Sequence, residues 1–212
     1  RCEVIVCNPL LKSLEMDSTW EAANAIGVEA MEIAVDHRLN CSRLYVGDET
    51  PYSIASEAEA KKLAAAAKKH GLRTPVICSS TRIAPEGDNE EVVARAKQLI
   101  DTAPVIGCRL VYFPVAMRRS ENPLTDEIFI DQSAKFLKEV GAYGKEKGVT
   151  VTIENLQRYW NRQEILQPVF RQVPEDHLGL TLDPTNLYWY GYPREKIYEI
   201  VDTVAPRVRY FH

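Results

Sequence analysis

Short apolar runs alternate along the chain with longer charged stretches in which apolar residues recur at helical spacing. The short runs are rich in Val, Ile and Leu, which is typical of strands buried on both faces. A helix-sized stretch separates each run from the next. The runs predict seven strands, at residues 3–10, 28–36, 72–80, 108–115, 149–154, 178–183 and 208–212.

The charged stretches predict helices at residues 57–70, 89–106, 131–147, 161–173 and 193–204. Gly71 favours the end of the first helix, Asp131 is the expected N-cap of the third, and Pro193 suits a first helical position. Pro168 weakens the pattern of the fourth helix, because proline removes a backbone donor from a helix interior.

The alternation of strands and helices predicts right-handed βαβ units and a parallel sheet. Cys-Asn-Pro follows the first apolar core in place of a glycine-rich phosphate loop, which disfavours a nucleotide-binding doubly wound sheet. A (β/α)8 barrel has about 250 residues, and the 212 residues of this chain suffice for seven of its eight units. We therefore expect an α/β fold of the TIM (β/α)8-barrel type, with seven strands present and C-terminally incomplete, and residues 1–212 forming a single domain.

The composition narrows the classes of function. A net charge of −4 disfavours a nucleic-acid-binding protein, for which a basic surplus is typical. No apolar run approaches the roughly 20 residues of a membrane span, so no membrane partner is expected. The five cysteines are an odd number without CxxC spacing, which favours a reduced protein, and we expect a cytoplasmic location.

Three consecutive predicted strands end on a residue that can bind a metal ion: Glu154, Asp183 and His212. Alternation places each of them on the inward face of its strand, and the carboxyl ends of barrel strands form active sites. Two carboxylates and an imidazole suit a divalent metal such as Mn²⁺, Mg²⁺, Co²⁺ or Zn²⁺. The alternative is structural, since an acid at a strand end often caps the next helix and Asp183-Pro184 is typical of a turn.

Four segments carry a resemblance to a known family: Gly27-Val-Glu-Ala-Met-Glu-Ile33, Val151-Thr-Ile-Glu-Asn155, Leu180-Thr-Leu-Asp-Pro-Thr-Asn186 and Val208-Arg-Tyr-Phe-His212. With them the sequence resembles the xylose-isomerase-like superfamily of TIM barrels, which contains sugar phosphate isomerases and epimerases. The resemblance covers essentially the whole chain. It implies one divalent metal ion held by Glu154, Asp183, His212 and a second glutamate on an eighth strand, which would lie beyond residue 212.

The resemblance implies a metal-dependent sugar isomerase or epimerase of carbohydrate metabolism. In the family's ketose epimerases one glutamate removes the proton next to the carbonyl, and the other returns a proton to the opposite face. A metal ion that bridges the carbonyl and a neighbouring hydroxyl stabilises the enediolate formed between these steps. Glu154 is the implied catalytic residue. A small-molecule sugar or sugar derivative is the expected partner, and a homo-oligomer is compatible with this interpretation.

Four further residues are candidates for substrate binding. Asn186 stands where many relatives have a histidine that contacts substrate; asparagine can hydrogen-bond a hydroxyl but cannot take up or release a proton at neutral pH. Glu32 falls on the inward face of the second strand, where the alternative is a salt bridge. Arg118 follows the fourth strand and can bind a phosphate or carboxylate, the alternative being a solvated loop. Trp160 suits stacking on a sugar or aglycone, although a buried aromatic residue needs no functional reason.

Three other functions stay open. A related lyase or dehydratase acting on 3-keto sugars or inositols would use the same metal and base but expel a leaving group. A DNA-repair endonuclease of the same barrel type needs a histidine-rich three-metal site, which the four histidines and the acidic balance disfavour. The third is a non-catalytic barrel that binds a sugar or a partner subunit.

Overall fold

The structure, a computed structural model, describes residues 4–121 and 123–212. The strands in this part of the chain are β1 (Val6–Cys7), β2 (Ala30–Val35), β3 (Arg73–Ser79), β4 (Thr81–Ile83), β5 (Leu110–Phe113), β6 (Val115–Met117), β7 (Thr150–Glu154), β8 (Gly179–Leu182) and β9 (Val208–Phe211). The α-helices are α1 (Thr19–Ala25), α2 (Glu57–Lys69), α3 (Glu90–Thr102), α4 (Asp126–Lys147), α5 (Gln157–Trp160), α6 (Gln163–Gln172), α7 (Pro184–Tyr190) and α8 (Arg194–Val204). No helix among the described residues is long and apolar enough to span a lipid bilayer.

Seven of the strands belong to one sheet, in the order β1-β2-β3-β5-β7-β8-β9, and β4 pairs with β6 in a second, two-stranded sheet. The pairs β1–β2, β2–β3, β7–β8 and β8–β9 are parallel. Each of the seven predicted strands therefore has a counterpart in the described sheet. Parallel strands joined by helices confirm the predicted α/β class.

The residues that cap α4 and α8 differ from those predicted. Thr125, and not Asp131, is the N-cap of α4, because its hydroxyl accepts a hydrogen bond from the Ile128 backbone N–H at 3.3 Å. The pattern places Pro193 at the first helical position of α8. In the structure α8 begins one residue later, at Arg194, and Pro193 is its N-cap residue. A cap is a side-chain or backbone contact without periodicity, so apolar spacing alone does not locate it.

Other boundaries also differ from the predictions. Of the first predicted strand only Val6–Cys7 is extended, Asn8–Leu14 is a 3-10 helix, and residue 3 lies outside the described residues. The predicted helix at residues 161–173 corresponds to α6, which contains Pro168, and α5 precedes it as a separate short helix that the pattern does not predict. The sequence pattern predicts neither α7 nor the β4–β6 sheet.

The described chain comprises two compact units. The first contains the described residues up to Ser80 together with Lys97–Val111, and the second contains Thr81–Ala96 together with Tyr112–His212. The single domain expected for residues 1–212 stays a prediction.

In the first unit, β2 lies between β1 and β3 and is buried along most of its length. Asn8 is fully buried directly after β1, and its side-chain oxygen accepts a hydrogen bond from the Ala34 backbone N–H at 3.0 Å. This bond ties the end of β1 to β2. Burial raises the pKa of Cys41 and of Cys108 to about 12, so both thiols stay uncharged at neutral pH.

In the second unit, α4 approaches β7 and β8 closely because two of its residues have no side chain. A Cβ atom at Gly144 would lie 2.6 Å from Cγ2 of Val151 in β7. A Cβ atom at Gly141 would overlap the carbonyl oxygen of His177, which precedes β8. The helix therefore packs on the strands at a separation that larger residues at these positions would not allow.

Arg207 anchors the segment that enters β9. Its guanidinium donates hydrogen bonds to the carbonyl groups of Phe170, Val173 and Leu178, at 2.7, 3.2 and 3.1 Å respectively. These carbonyls belong to the end of α6, the residue after it and the residue before β8. Arg207 therefore joins the starts of β8 and β9, and burial lowers its pKa without removing its charge at neutral pH.

Candidate active site

The carboxyl ends of β7, β8 and β9 lie side by side in the second unit. Glu154 is in register with Thr181, and Thr181 with Tyr210. The hydroxyl groups of Thr152 and Thr181 are fully buried and lie 2.7 Å apart, so the polar residues of β7 and β8 share one face, as alternation predicts. Side chains that end the strands on this face can therefore reach one another.

Glu154 ends β7, and only 7% of its side chain is exposed. Its Oε1 atom accepts a hydrogen bond from Nδ2 of Asn186 at 3.2 Å and lies 3.1 Å from Nδ1 of His212. Both partners are uncharged when the imidazole is neutral, so they offer the carboxylate no full positive charge. A buried acid with such partners is informative, because burying a charge is costly unless it is compensated.

His212 follows β9 and is held by its backbone and its ring. Its N–H donates to the Leu182 carbonyl at 3.1 Å, which keeps the residue beside the end of β8. The imidazole is edge-on to the rings of Tyr112 and Tyr210, with centroids 5.1 and 5.3 Å away. When Nδ1 carries the proton it donates to Glu154, and the lone pair is then on Nε2.

Asp183 follows β8 and performs the capping role that the sequence leaves as the alternative. Its Oδ1 atom accepts hydrogen bonds from the backbone N–H groups of Thr185 and Asn186, at 2.8 and 3.2 Å. Asp183 is therefore the N-cap of α7, and Pro184 opens a helix in place of the predicted turn. Capping through Oδ1 is compatible with metal ligation through the second oxygen, because a carboxylate has several acceptor positions.

Asn186 connects the two carboxylates. Its backbone N–H donates to Asp183, and its side-chain amide donates to Glu154. Glu154 thus contacts His212 directly and Asp183 through Asn186. We call Glu154, Asp183, Asn186 and His212 the acid cluster; it contains the three predicted metal ligands and one predicted substrate-binding residue, whose roles stay predictions.

The kinds of donor atom in the acid cluster are those that a divalent cation accepts. Carboxylate oxygens and an imidazole nitrogen are ligands that Mn²⁺, Mg²⁺, Co²⁺ and Zn²⁺ all accept. A cation would also supply the full positive charge that Asn186 and a neutral His212 do not give to the buried Glu154 carboxylate.

Trp160 is a packing residue in this structure. It is 2% exposed, its indole N–H donates to the Val115 carbonyl at 2.6 Å, and its ring packs edge-on against Phe129 with centroids 5.2 Å apart. A ring buried to this degree has no face open to a sugar. The alternative of ordinary packing therefore describes Trp160 better than the predicted substrate stacking.

Glu32 belongs to the first unit and Arg118 to the second. Glu32 is 2% exposed in β2 of the first unit. Arg118 is exposed directly after β6 in the second unit, and its Nε donates to the Arg82 carbonyl at 3.3 Å. Substrate binding by either residue stays a prediction.

Two buried residues next to the acid cluster are not singled out by the sequence pattern. Asn155 and Asn161 are 1% and 3% exposed, and their side-chain amides hydrogen-bond each other. The sequence offers one signal for Asn155, which directly follows Glu154 at the end of a largely apolar run. It offers none for Asn161, which is brought close only by the turn after β7.

Comparison with known families identifies the kind of barrel. A family model described as a xylose isomerase-like TIM barrel matches residues 20–212, a range that includes every residue of the acid cluster. No curated protein matches the sequence at a significant level.

Three solved structures are similar to this chain over most of its length. A sugar phosphate isomerase/epimerase from Parabacteroides distasonis is 12% identical, with a TM-score of 0.73 over 99% of this chain and 74% of its own. A xylose isomerase-like TIM barrel protein from Mycobacterium smegmatis, in complex with magnesium, is 17% identical, with a TM-score of 0.68 over 92% of this chain and 64% of its own. The D-allulose 3-epimerase from Methylomonas sp., in complex with D-allulose, is 16% identical, with a TM-score of 0.69 over 100% of this chain and 72% of its own.

At these identities the likeness shows the fold, and it confirms the predicted barrel type. The chain spans 64% of the Mycobacterium smegmatis protein and 74% of the Parabacteroides distasonis protein. With seven strands in its described sheet, it is an incomplete TIM barrel.

Proposed function

Because the chain belongs to the xylose isomerase-like TIM barrel family, we propose that it is a divalent-metal-dependent sugar isomerase or epimerase. One observation carries the proposal: the buried Glu154 carboxylate contacts both Asn186 and His212 at the carboxyl end of β7. The fold shared with an epimerase that binds D-allulose supports ketoses as the substrate class. The fold shared with a magnesium-bound barrel supports a divalent cation.

Glu154 acts as the general base in this proposal. It takes the proton from the carbon next to the carbonyl, the electron pair of the C–H bond forms a C=C bond, and the carbonyl oxygen takes up the negative charge. The Asn186 amide and the His212 ring contact the same oxygen of Glu154 and restrict its orientation. A base held in one orientation loses less entropy when the substrate binds.

Glu154, Asp183 and His212 would hold the cation. When bound, it supplies the positive charge that stabilises the oxygen as that atom becomes negative. Asp183 is kept in place by its capping bonds to α7, and His212 by its contacts with Tyr112 and Tyr210. These two side chains therefore need little reorganisation, which is what a working site requires of its supporting contacts.

The wild-type protein loaded with Mn²⁺ is expected to exchange the proton next to the carbonyl of at least one ketose for solvent deuterium. The measurement is ¹H NMR in D₂O on a panel that contains D-allulose, other ketohexoses and their phosphates. Exchange needs only removal and return of a proton by Glu154, so it reports the base without requiring a second one. Chelation of the metal should abolish it.

Two results would contradict the proposal. A metal-loaded protein that exchanges no ketose proton would exclude this chemistry for the panel. Release of water or another leaving group from a 3-keto sugar, without exchange into ketoses, would assign the elimination reaction instead. Asn186, which cannot take up or release a proton at neutral pH, is compatible with that reaction as well.

Substitution of Asn186 by alanine is expected to lower the exchange rate about 10-fold, since a hydrogen bond to a charged group contributes more than one between neutral groups. The effect should appear mainly in kcat, because the amide orients the base. Asn24→Ala, at an exposed position in α1, is the matched control and should keep the wild-type rate. An Asn186→Ala variant with the wild-type rate would show that this contact does not assist the base.

A further inference from the structure

The side chain of Asn155 hydrogen-bonds both the N–H and the carbonyl group of Asp183, the residue that follows β8. Its Oδ1 atom accepts a hydrogen bond from the Asp183 N–H at 2.7 Å, and its Nδ2 atom donates to the Asp183 carbonyl at 2.8 Å. Asn155 is 1% exposed, so solvent does not replace these bonds when they are lost. We call this pair of bonds the amide clamp.

The amide clamp begins where the backbone ladder ends. β7 ends at Glu154 and β8 at Leu182, and the last residues in register are Glu154 and Thr181. A primary amide carries the donor and the acceptor of a peptide group, so the Asn155 side chain extends the pairing by one more residue. Asp183 is thereby held beside the strand that carries Glu154, although it lies past the end of its own strand.

The amide clamp also closes a circuit of contacts through the acid cluster. Asn155 is covalently joined to Glu154 and hydrogen-bonded to Asp183. Asp183 accepts the backbone N–H of Asn186, and the side chain of Asn186 donates to Glu154. A displacement of the Asp183 backbone would therefore move the first turn of α7 and withdraw Asn186 from Glu154.

A second asparagine orients the amide of Asn155. The Nδ2 atom of Asn155 also donates to Oδ1 of Asn161 at 3.1 Å. The Nδ2 atom of Asn161 in turn donates to the Gln157 carbonyl at 2.8 Å. Gln157 has a φ of +59°, in the left-handed region that residues with a side chain rarely adopt. The hydrogen bonds among Asn155, Asn161 and Gln157 thus hold a turn after β7 whose backbone conformation is unfavourable. Local strain of this kind persists only where surrounding contacts enforce it.

We propose that Asn155 is a positioning residue, whose amide sets the placement of Asp183 and, through α7, of Asn186 relative to Glu154. The inference rests on the proposed function, since this placement affects catalysis only if these residues act together. The hydrogen bonds of the amide clamp do not depend on that function and can be tested without it.

Asn89 provides a matched control within the same unit. Its Oδ1 atom accepts a hydrogen bond from the Ala84 N–H at 2.6 Å, and its Nδ2 atom donates to the Ala84 carbonyl at 3.2 Å. This is the same two-bond arrangement, placed directly before α3 and outside the acid cluster. Asn89 is half-buried, so removing its two bonds should cost less stability than removing those of Asn155, and it should not affect Asp183.

Asn155→Ala and Asn89→Ala are compared with the wild type in two measurements. NMR-detected hydrogen exchange of metal-free protein follows the backbone amides of Asp183 and Asn186, and Mn²⁺ titration followed by electron paramagnetic resonance gives the affinity for the metal alone. We expect Asn155→Ala to accelerate both amides and to weaken Mn²⁺ binding about 10- to 100-fold, the usual loss when a residue supporting metal ligands is removed. Asn89→Ala should leave both quantities unchanged, even where it lowers Tm.

Wild-type Mn²⁺ affinity and wild-type exchange in Asn155→Ala would overturn the proposal. So would an Asp183 amide that already exchanges in the wild type as fast as in an unfolded peptide, a result that needs no variant and decides the matter if Asn155→Ala does not fold. Failure of the proposed function has a different signature. The wild type would then bind no Mn²⁺ and label no ketose, while the Asp183 amide stayed protected and Asn155→Ala still released it.

Discussion

Replacement of Glu154 by glutamine is expected to lower the rate of deuterium incorporation at least about 100-fold, the scale of a lost general base. Glutamine has the shape of glutamate and keeps an oxygen that can accept a hydrogen bond from the Asn186 amide. In the wild type this bond joins Nδ2 of Asn186 to Oε1 of Glu154 at 3.2 Å. Its amide cannot take up a proton at neutral pH. The variant should therefore fold like the wild type and lose the base, which NMR exchange rates and circular dichroism together can show.

Glu146→Gln makes the same chemical change at an exposed position in the last turn of α4. We expect it to keep the wild-type exchange rate, so that any loss in Glu154→Gln is assigned to position 154. Retention of most of the activity by Glu154→Gln would transfer the role of base to another residue and would remove the central support of the proposed function.

Substitution of Gly141 by alanine is expected to lower the free energy of unfolding by about 2 kcal/mol. The added Cβ atom would overlap the carbonyl oxygen of His177, a backbone atom that cannot rotate away as a side chain can. The helix would have to move outward and lose packing against β7 and β8. This expectation already includes the gain of about 1 kcal/mol that alanine has over glycine in a helix; urea unfolding gives the value.

Gly148→Ala separates close packing from backbone conformation. Gly148 follows α4 with a φ of +69°, and no atom lies within 4 Å of the position that its Cβ would take. Alanine there meets only the cost of the left-handed conformation, about 1 kcal/mol. A Gly141→Ala variant as stable as Gly148→Ala, or more so, would contradict the close approach of α4 to the segment before β8.

The predicted metal ligands show how much of the site can be located from alternation along a strand. Alternation places Glu154 and His212 on the inward faces of their strands, and the structure brings their side chains within 3.1 Å of each other. The two carboxyl ends meet because β7 and β9 both lie beside β8 and run parallel to it, even though the pairing of β8 with β9 shifts register between Leu180 and Thr181. Asp183 reaches the same place one residue past the end of its strand.

Side-chain bonds to the backbone are the features that the pattern does not predict. Thr125 caps α4, and Asn155 pairs with the backbone of Asp183. Each bond joins one polar group to one backbone group, and a single contact has no period that a sequence could display. The position of such a bond depends on where the chain has already folded.

The class of fold and the approximate position of each of the seven sheet strands could be inferred from the linear order of apolar and polar residues. Burial on one or both faces of a strand or helix repeats with a period of two or 3.6 residues, and a repeat is visible without coordinates. The contacts of Asn186 with Glu154 and of Asn155 with Asp183, and the burial of Trp160, could not be inferred in this way. They join residues far apart along the chain, so they exist only after packing has brought those residues together.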